Sequence, residues 1–189
     1  MRRVIASIFV SLDGYMAGPT EDIHWVTDNF NADMAKYAGD LMDSMDAVLL
    51  GRVTYEIMAK AWPTMTEATS PGADKMNTTS KIVFSKTLRN AQWGKWNNAR
   101  VVKDHVADEI AKLKQLPGKD MVIYGSANLV QGFTELGLID EYQLLVHPLV
   151  LGNGKRLWRE LQHPVNLKLL RTEAFKNGVV VLYYEQERK

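Results

Sequence analysis

Three short stretches of this chain combine glycine, a hydroxyl and a basic or helix-opening residue in the way that phosphate binding requires. Gly51-Arg52-Val53-Thr54 closes an apolar run and opens a helical one. Backbone N–H groups at such a helix start point outward, and a guanidinium beside them adds bidentate charge. Ser85-Lys86 follows the apolar run KIVF, so two basic, hydroxyl-bearing strand ends are available for two phosphates of one ligand. Gly125-Ser126 follows Met121–Tyr124 and precedes a helix that Ser126 or Asn128 is placed to cap, a geometry that favours an anion such as a pyrophosphate. For acid–base work the candidates are Asp13, Asp28 and Asp33, all in or beside one long loop. A carboxyl in a cleft can protonate a heterocycle when burial raises its pKa.

Other chemistries find no support. His24, His105, His147 and His163 are scattered, and no spacing with Asp or Glu resembles a metal site. The chain has no G-x-S-x-G elbow for a serine hydrolase. Gly152-Asn153-Gly154 continues as Lys-Arg-Leu, which fails as a dinucleotide fingerprint and as a P-loop. With 189 residues, 46% of them apolar, and a formal net charge of +1, the chain reads as one soluble domain over 1–189 with a substantial core. Near-neutral charge argues against a general nucleic-acid binder. The absence of cysteine excludes disulfides and thiolate metal sites and fits a reducing, cytoplasmic compartment. No apolar run approaches the roughly 20 residues that cross a bilayer. The N-terminal run is short and β-branched, so it reads as a first strand rather than a signal peptide.

The elements that position these residues follow from periodicity. Strands are predicted at Val4–Ser11, Asp46–Leu50, Lys81–Ser85, Val101-Val102, Met121–Tyr124, Tyr142–Val146, Leu167–Ala174 and Gly178–Glu185. Met121–Tyr124 lacks polar alternation, as a central strand covered on both faces does. Helices are predicted from Asn31 to Met45, from Thr54 to Ala61, from Val106 to Leu116, and after Ser126 with Leu129, Phe133 and Leu136 inward. Met16–Asn31 and Pro63–Thr79 read as loops, Leu88–Asn98 as irregular, and Lys155–Leu161 as a turn or short helix. Lys176-Asn177-Gly178 marks a hairpin turn. Strands separated by helices point to an α/β fold whose mixed sheet is largely parallel, with an antiparallel terminal pair.

In this order the motifs resemble the dihydrofolate reductase-like superfamily, in the branch of the riboflavin-biosynthesis deaminase/reductase C-terminal domain. The matching pieces are SLDGYMAG (11–18), HWVT (24–27), DAVLLGRVTYE (46–56), KIVFSK (81–86) and GLIDEYQLLVHPLVLGNG (137–154). The resemblance implies a three-layer fold with helices on both faces of the sheet. It also implies NADPH as cofactor, a small-molecule substrate and a homodimer.

By the same resemblance, Gly51, Arg52 and Thr54 hold cofactor phosphates, and Ser85 and Lys86 meet the adenosine 2′-phosphate. Gly125, Ser126 and the helical start Ala127, Asn128 and Leu129 face the pyrophosphate or nicotinamide. Ser11, Leu12, Asp13 and Trp25 line the substrate cleft. Asp33 lies in NADMAKY, similar to the segment that carries the acid of folate reductases. The chain departs from the riboflavin branch in having Tyr124 where a glutamate is usual and Ser126 where a second glycine is favoured. The deaminase half is missing, so a reductase-only chain is expected. Three activities stay open: reduction of an aminopyrimidine ribosyl phosphate, reduction of a folate or pterin with Asp33 as acid, and NADP binding with little catalysis.

Overall fold

The strand β1 (Val4–Ser11) is buried on both sides, and its alternation decides the layering. Val4, Ala6, Ile8 and Val10 enter one apolar layer, and Ile5 enters another on the opposite face. A computed structural model describes residues 1–159 and 161–187. Its other strands are β2 (Tyr15–Ala17), β3 (Met45–Gly51), β4 (Ser80–Phe84), β5 (Ala99–Val102), β6 (Asp120–Gly125), β7 (Glu141–His147), β8 (Lys155–Arg156), β9 (Leu167–Ala174) and β10 (Val180–Gln186). The main sheet has the order β5-β4-β3-β6-β1-β7-β10-β9. It is parallel from β5 to β7, and β10 and β9 are added antiparallel.

Helices α1 (His24–Thr27), α2 (Ala32–Ser44), α3 (Arg52–Ala61), α4 (Ala73–Thr78), α5 (Val106–Gln115) and α6 (Ala127–Glu135) cover the two faces. α5 and α6 send Ile110, Leu113, Leu129, Val130 and Phe133 against β1 and β6. Leu41, Tyr55 and Met76, from α2, α3 and α4, fill the opposite layer. Beyond them, Val26 and Met34 pack on Leu145, Val181 and Tyr183 of β7 and β10. The start of α2 is set locally: Asn31 Oδ1 accepts the Met34 N–H at 3.0 Å, while the Asn31 backbone is extended. This is the largely parallel α/β fold with an antiparallel C-terminal pair that the periodicity predicts, in the three layers that the resemblance implies.

Four segments differ from expectation. The loop Met16–Asn31 contains part of β2 and all of α1. Pro63–Thr79 contains α4, and its first residues belong to the 3₁₀ turn Trp62–Thr64. Lys155-Arg156 is a strand, β8, paired with β2; Glu160, in the same predicted turn, lies outside the described residues. Elements of two to six residues are too short to show a period, and β2 and β8 are joined only by pairing across about 140 positions. Finally, neither Ser126 nor Asn128 caps α6 through its side chain.

A buried polar knot fastens the irregular segment 88–98 beneath β4. Asn77 is fully buried; its amide donates to the Trp62 carbonyl at 3.0 Å and accepts Trp93 Nε1–H at 2.8 Å. Lys81 Nζ donates to the Met76 and Asn77 carbonyls at 2.5 and 2.9 Å and lies 4.2 Å from the Trp93 ring centroid. Tyr55 Oη, bonded to the Gln92 carbonyl and N–H, and Asn98 Nδ2, bonded to the Asn77 and Thr79 carbonyls, hold the same stretch. Replacing Asn77 by Leu strands the Trp93 N–H and the Trp62 carbonyl without partners. Urea denaturation is expected to show a loss of about 2–4 kcal/mol; a loss below about 0.5 kcal/mol would mean that the knot does not hold this segment.

Candidate functional site

The parallel strands β4, β3 and β6 are neighbours and end together, so the turns that follow them share one rim. Gly51 is in register with Phe84, and Leu50 with Gly125. Ser85 and Lys86 leave β4 beside the Gly51 turn, and Gly125-Ser126 lies on the other side. The contact between the Gly51 turn and the Gly125-Ser126 turn leaves little spare volume. A Cβ on Gly51 would collide with Ser126 Oγ, and one on Gly125 would come within 2.9 Å of Thr54 Oγ1. Gly125 also has φ +138°, a value L side chains rarely adopt, and its peptide to Ser126 is cis.

Two helices, α3 and α6, begin at these turns, and neither has a side-chain cap at Gly51 or Ser126. Their first N–H groups therefore remain available at the rim. Around them the side chains divide. Arg52 is exposed and bonded to Glu56 at 2.9 and 3.1 Å, one turn along its own helix. Lys86 is exposed and has no ion-pair partner among the described residues. Ser85 Oγ accepts the N–H groups of Thr87 and Leu88 at 3.2 and 3.0 Å, which shapes the turn. Asn128 is exposed, whereas Ala127 and Leu129 are buried, so those two offer a ligand only their backbone. Tyr124 does not face the rim group either: its hydroxyl lies 3.9 Å from Met45 Sδ, and burial pushes its pKa up.

The second half of the rim is built by β1 and β7, where Ser11 pairs with His147. Asp13 is not free for proton transfer here. Its carboxylate accepts Ser11 Oγ–H at 2.7 Å and the N–H groups of Leu151 and Gly152 at 3.1 and 2.7 Å. The Ser11 hydroxyl first, and then the Gly152 and Leu151 amides, hold it at about 2, so it is an anion that braces the loop after β7. Ser11 Oγ in turn accepts the Tyr15 N–H at 3.0 Å, and Leu12 is exposed. Asp33, half-buried in the first turn of α2, accepts the Lys176 N–H at 2.9 Å from the hairpin turn. It lines a groove of about 520 Å³ with Lys36, Tyr37, Phe175 and Lys176. Asp28 is exposed at the end of α1, with its own N–H bonded to the His24 carbonyl. Asp33, in α2, and Asp13, in the turn after β1, are thus separate, Asp33 engaged with one backbone N–H and Asp13 with two.

Trp25 is half-buried with its ring 4.9 Å from that of His147, edge on, and Phe9 flanks the same imidazole at 5.7 Å. His147 is fully buried, and neither its two ring nitrogens nor Trp25 Nε1 has a hydrogen-bond partner among the described residues. Beneath them, the Tyr37 hydroxyl is bonded to Ser7 Oγ at 2.8 Å and to Gln143 Oε1 at 2.6 Å. Sequence reasoning missed His147, Tyr37 and Gln143. The signal present was the alternation Gln143, Leu145, His147, which puts all three on one side of β7.

Among known proteins, the model of the RibD C-terminal domain family matches residues 2–181. The uncharacterized protein YyaP of Bacillus subtilis (strain 168) is 34% identical over 188 residues, covering 97% of this chain and 94% of YyaP. Among solved structures, a putative riboflavin biosynthesis protein from Shewanella sp. PV-4 superposes with a TM-score of 0.78 at 23% identity, over 100% of both chains. Dihydrofolate reductase from Enterococcus faecalis, complexed with NADP(H), gives a TM-score of 0.63 at 12% identity, over 98% of this chain and 97% of that one. The fold is therefore dihydrofolate reductase-like.

Burial lowers His147 to about 4 from an ordinary value near 6.5. The folded state thus carries neutral imidazole where the unfolded chain would bind a proton. The associated stability is complete above about pH 6.5 and is lost as the pH falls through 4, by about 3 kcal/mol. Asp13, held at about 2, titrates below that window. Denaturant titrations between pH 7 and 4 should show this loss, and a His147→Leu variant should show a flatter profile. Parallel profiles would mean that His147 does not carry the dependence.

Proposed function

The chain belongs to the RibD C-terminal domain family, and on that premise we propose that it is an NADPH-dependent reductase of the riboflavin-biosynthesis type. Its substrate in this reading is a small molecule, an aminopyrimidine ribosyl phosphate whose C=N or C=O is reduced. The observation that carries the reading is the packing of Gly51 on Ser126 and of Gly125 on Thr54, which brings two uncapped helix starts to one rim beside Ser85 and Lys86. A dinucleotide pyrophosphate has the charge and size that such a pair of helix starts receives.

The donor set fits that cofactor. The N–H groups after Gly51 and Ser126 would hold its phosphates, with Thr54 Oγ1 beside them. Arg52 would exchange Glu56 for a phosphate, and Ser85 and Lys86 would meet the 2′-phosphate that distinguishes NADPH from NADH. When bound, the cofactor supplies a hydride to the substrate carbon. The chain's own part is to orient and to exclude water. Asp13 fixes the loop after β7 against the end of β1, and Trp25, Phe9 and His147 close the cleft with apolar surface. The working form is a cytoplasmic homodimer.

A second reading, reduction of a folate or pterin, rests on Asp33. Asp13 is held as an anion, which leaves Asp33, one of four carboxyls that line the groove beside α2, as the candidate acid for a substrate heterocycle. Asp33→Asn is expected to abolish dihydrofolate turnover if that reading holds; unchanged turnover removes it.

Fluorescence titration with NADPH and NADH, using the five tryptophans as reporters, tests the principal reading. Arg52→Ala should weaken both cofactors by about 1.5–3 kcal/mol, roughly 10- to 100-fold, and Lys86→Ala should weaken NADPH far more than NADH. Equal losses for the two cofactors would refute the 2′-phosphate assignment. Tight NADPH binding without its oxidation in the presence of either class of substrate would favour a binding protein over a reductase.

A further inference from the structure

Asparagine followed by glycine occurs twice, as Asn153-Gly154 in the loop after β7 and as Asn177-Gly178 in the turn between β9 and β10. Asparagine is thermally labile, and most so before glycine, whose backbone nitrogen can reach the side-chain carbonyl carbon with no Cβ in the way. Local geometry separates the two pairs. The Gly154 N–H donates to Asn153 Oδ1 at 2.7 Å, so the nitrogen already lies beside the Asn153 amide. Asn153 is exposed, and its side chain makes no other hydrogen bond among the described residues. It lines a hollow of about 790 Å³ with Tyr15, Arg156, Trp158 and Arg159. That hollow admits water, and its two exposed guanidiniums favour a developing negative charge. At Asn177 both reacting groups are engaged elsewhere. The Gly178 N–H donates to the Phe175 carbonyl at 3.0 Å. Asn177 Nδ2 donates to the Asn29 carbonyl at 2.6 Å, and Asn177 Oδ1 accepts the Val179 N–H at 3.3 Å.

We propose that Asn153 is a site of spontaneous deamidation, selected over Asn177 by the fold. The Gly154 nitrogen gives its proton to a base in solvent and bonds to Asn153 Cγ. The bond from Cγ to the side-chain nitrogen then breaks, ammonia leaves, and a cyclic succinimide remains. Water opens that ring at either carbonyl. Cleavage of the new bond restores the main chain with aspartate at this position, and cleavage of the old peptide bond leaves isoaspartate. One water enters and one ammonia departs, and nothing is oxidised or reduced. The folded loop supplies the proximity that a free chain reaches only by search. The product matters because residue 153 is anchored on both sides. Asp13 accepts the Gly152 N–H, and Gly154 lies so close to the Ala17 carbonyl that a Cβ would collide with it. Isoaspartate adds one methylene to the main chain between these anchors, so one of them must give, beside the pairing of β2 with β8. The inference is independent of the reductase reading and of its substrate.

Incubation of the full chain in mildly alkaline buffer, followed by peptide mass spectrometry, tests it. Asn153 is expected to convert at least about tenfold faster than Asn177, a ratio equal to about 1.4 kcal/mol in barrier. In urea the two rates should converge, since both pairs then keep the same glycine and lose the fixed geometry. Asn153→Gln should abolish conversion at that position and leave Asn177 as before, because the longer side chain must close a larger ring. In the converted protein the Gly152 amide is expected to exchange faster, and unchanged exchange overturns the loosening of the loop. Equal rates in the folded chain, faster conversion at Asn177, or no conversion at either position overturns the inference. A gap that persists in urea assigns the preference to neighbouring residues instead of the fold and overturns it equally. None of these results alters the NADPH titration, which decides the reductase reading separately.

Discussion

Two turns pressed together at the carboxyl edge of the sheet decide what the rim can hold. Gly51 lies so close beneath Ser126, and Gly125 beside Thr54, that neither glycine has room for a Cβ. A Cβ at Gly51 would displace Ser126 Oγ and lie 3.1 Å from the Ser126 nitrogen, and one at Gly125 would be strained by its φ of +138°. Because the contact is tight, α3 and α6 start side by side with their first N–H groups turned the same way. Their partial positive ends then reinforce one another over a site a phosphate or pyrophosphate can occupy. Ser85 and Lys86 join the site only because β4 is the next strand and stops at the same level as Gly51.

The other half of the rim is held by charge rather than by close packing. After β1 and after β7 the chain runs through loops whose amides have no strand to pair with, and buried or half-buried amides demand acceptors. Asp13 supplies two of its oxygens to Leu151 and Gly152 and is itself steadied by Ser11. Asp33 does the same for Lys176 across the groove. With three donors the Asp13 carboxylate is stabilised in its charged form and becomes a brace. Asp13 is thus part of the scaffold, and Asp33 ties the first turn of α2 to the hairpin turn.

The legibility of the chain divides along the same line. Gly51, Ser85 and Gly125 could be read because each belongs to a strand-turn-helix or strand-turn unit whose signals lie within a few residues. The run of strands and helices, the largely parallel sheet and the terminal hairpin followed from periods of two and 3.6 in segments long enough to show them. β2 and β8 could not, since three and two residues carry no period and their pairing joins Tyr15 to Arg156. The true role of Asp13 was equally hidden, because its partners lie 138 and 139 positions away. His147 looked isolated in sequence; only the twist of β7 toward Phe9 and Trp25 puts three aromatic rings together. Tyr124, which looked out of place beside the glycine turn, turns its hydroxyl toward Met45 and so leaves the rim to backbone groups.

β7 connects the two halves of this account. Its even-numbered residues Leu144 and Val146 lie on the open apolar side, and its odd-numbered Gln143, Leu145 and His147 lie under α1 and α2. A strand cannot shift along its neighbours by one residue without exchanging those two sets, which would bury nothing useful on either side. Its register is therefore fixed by both faces at once. The alternation of β7 is thus what lets one strand hold Gln143, Leu145 and His147 on one face while Leu144 and Val146 serve the other.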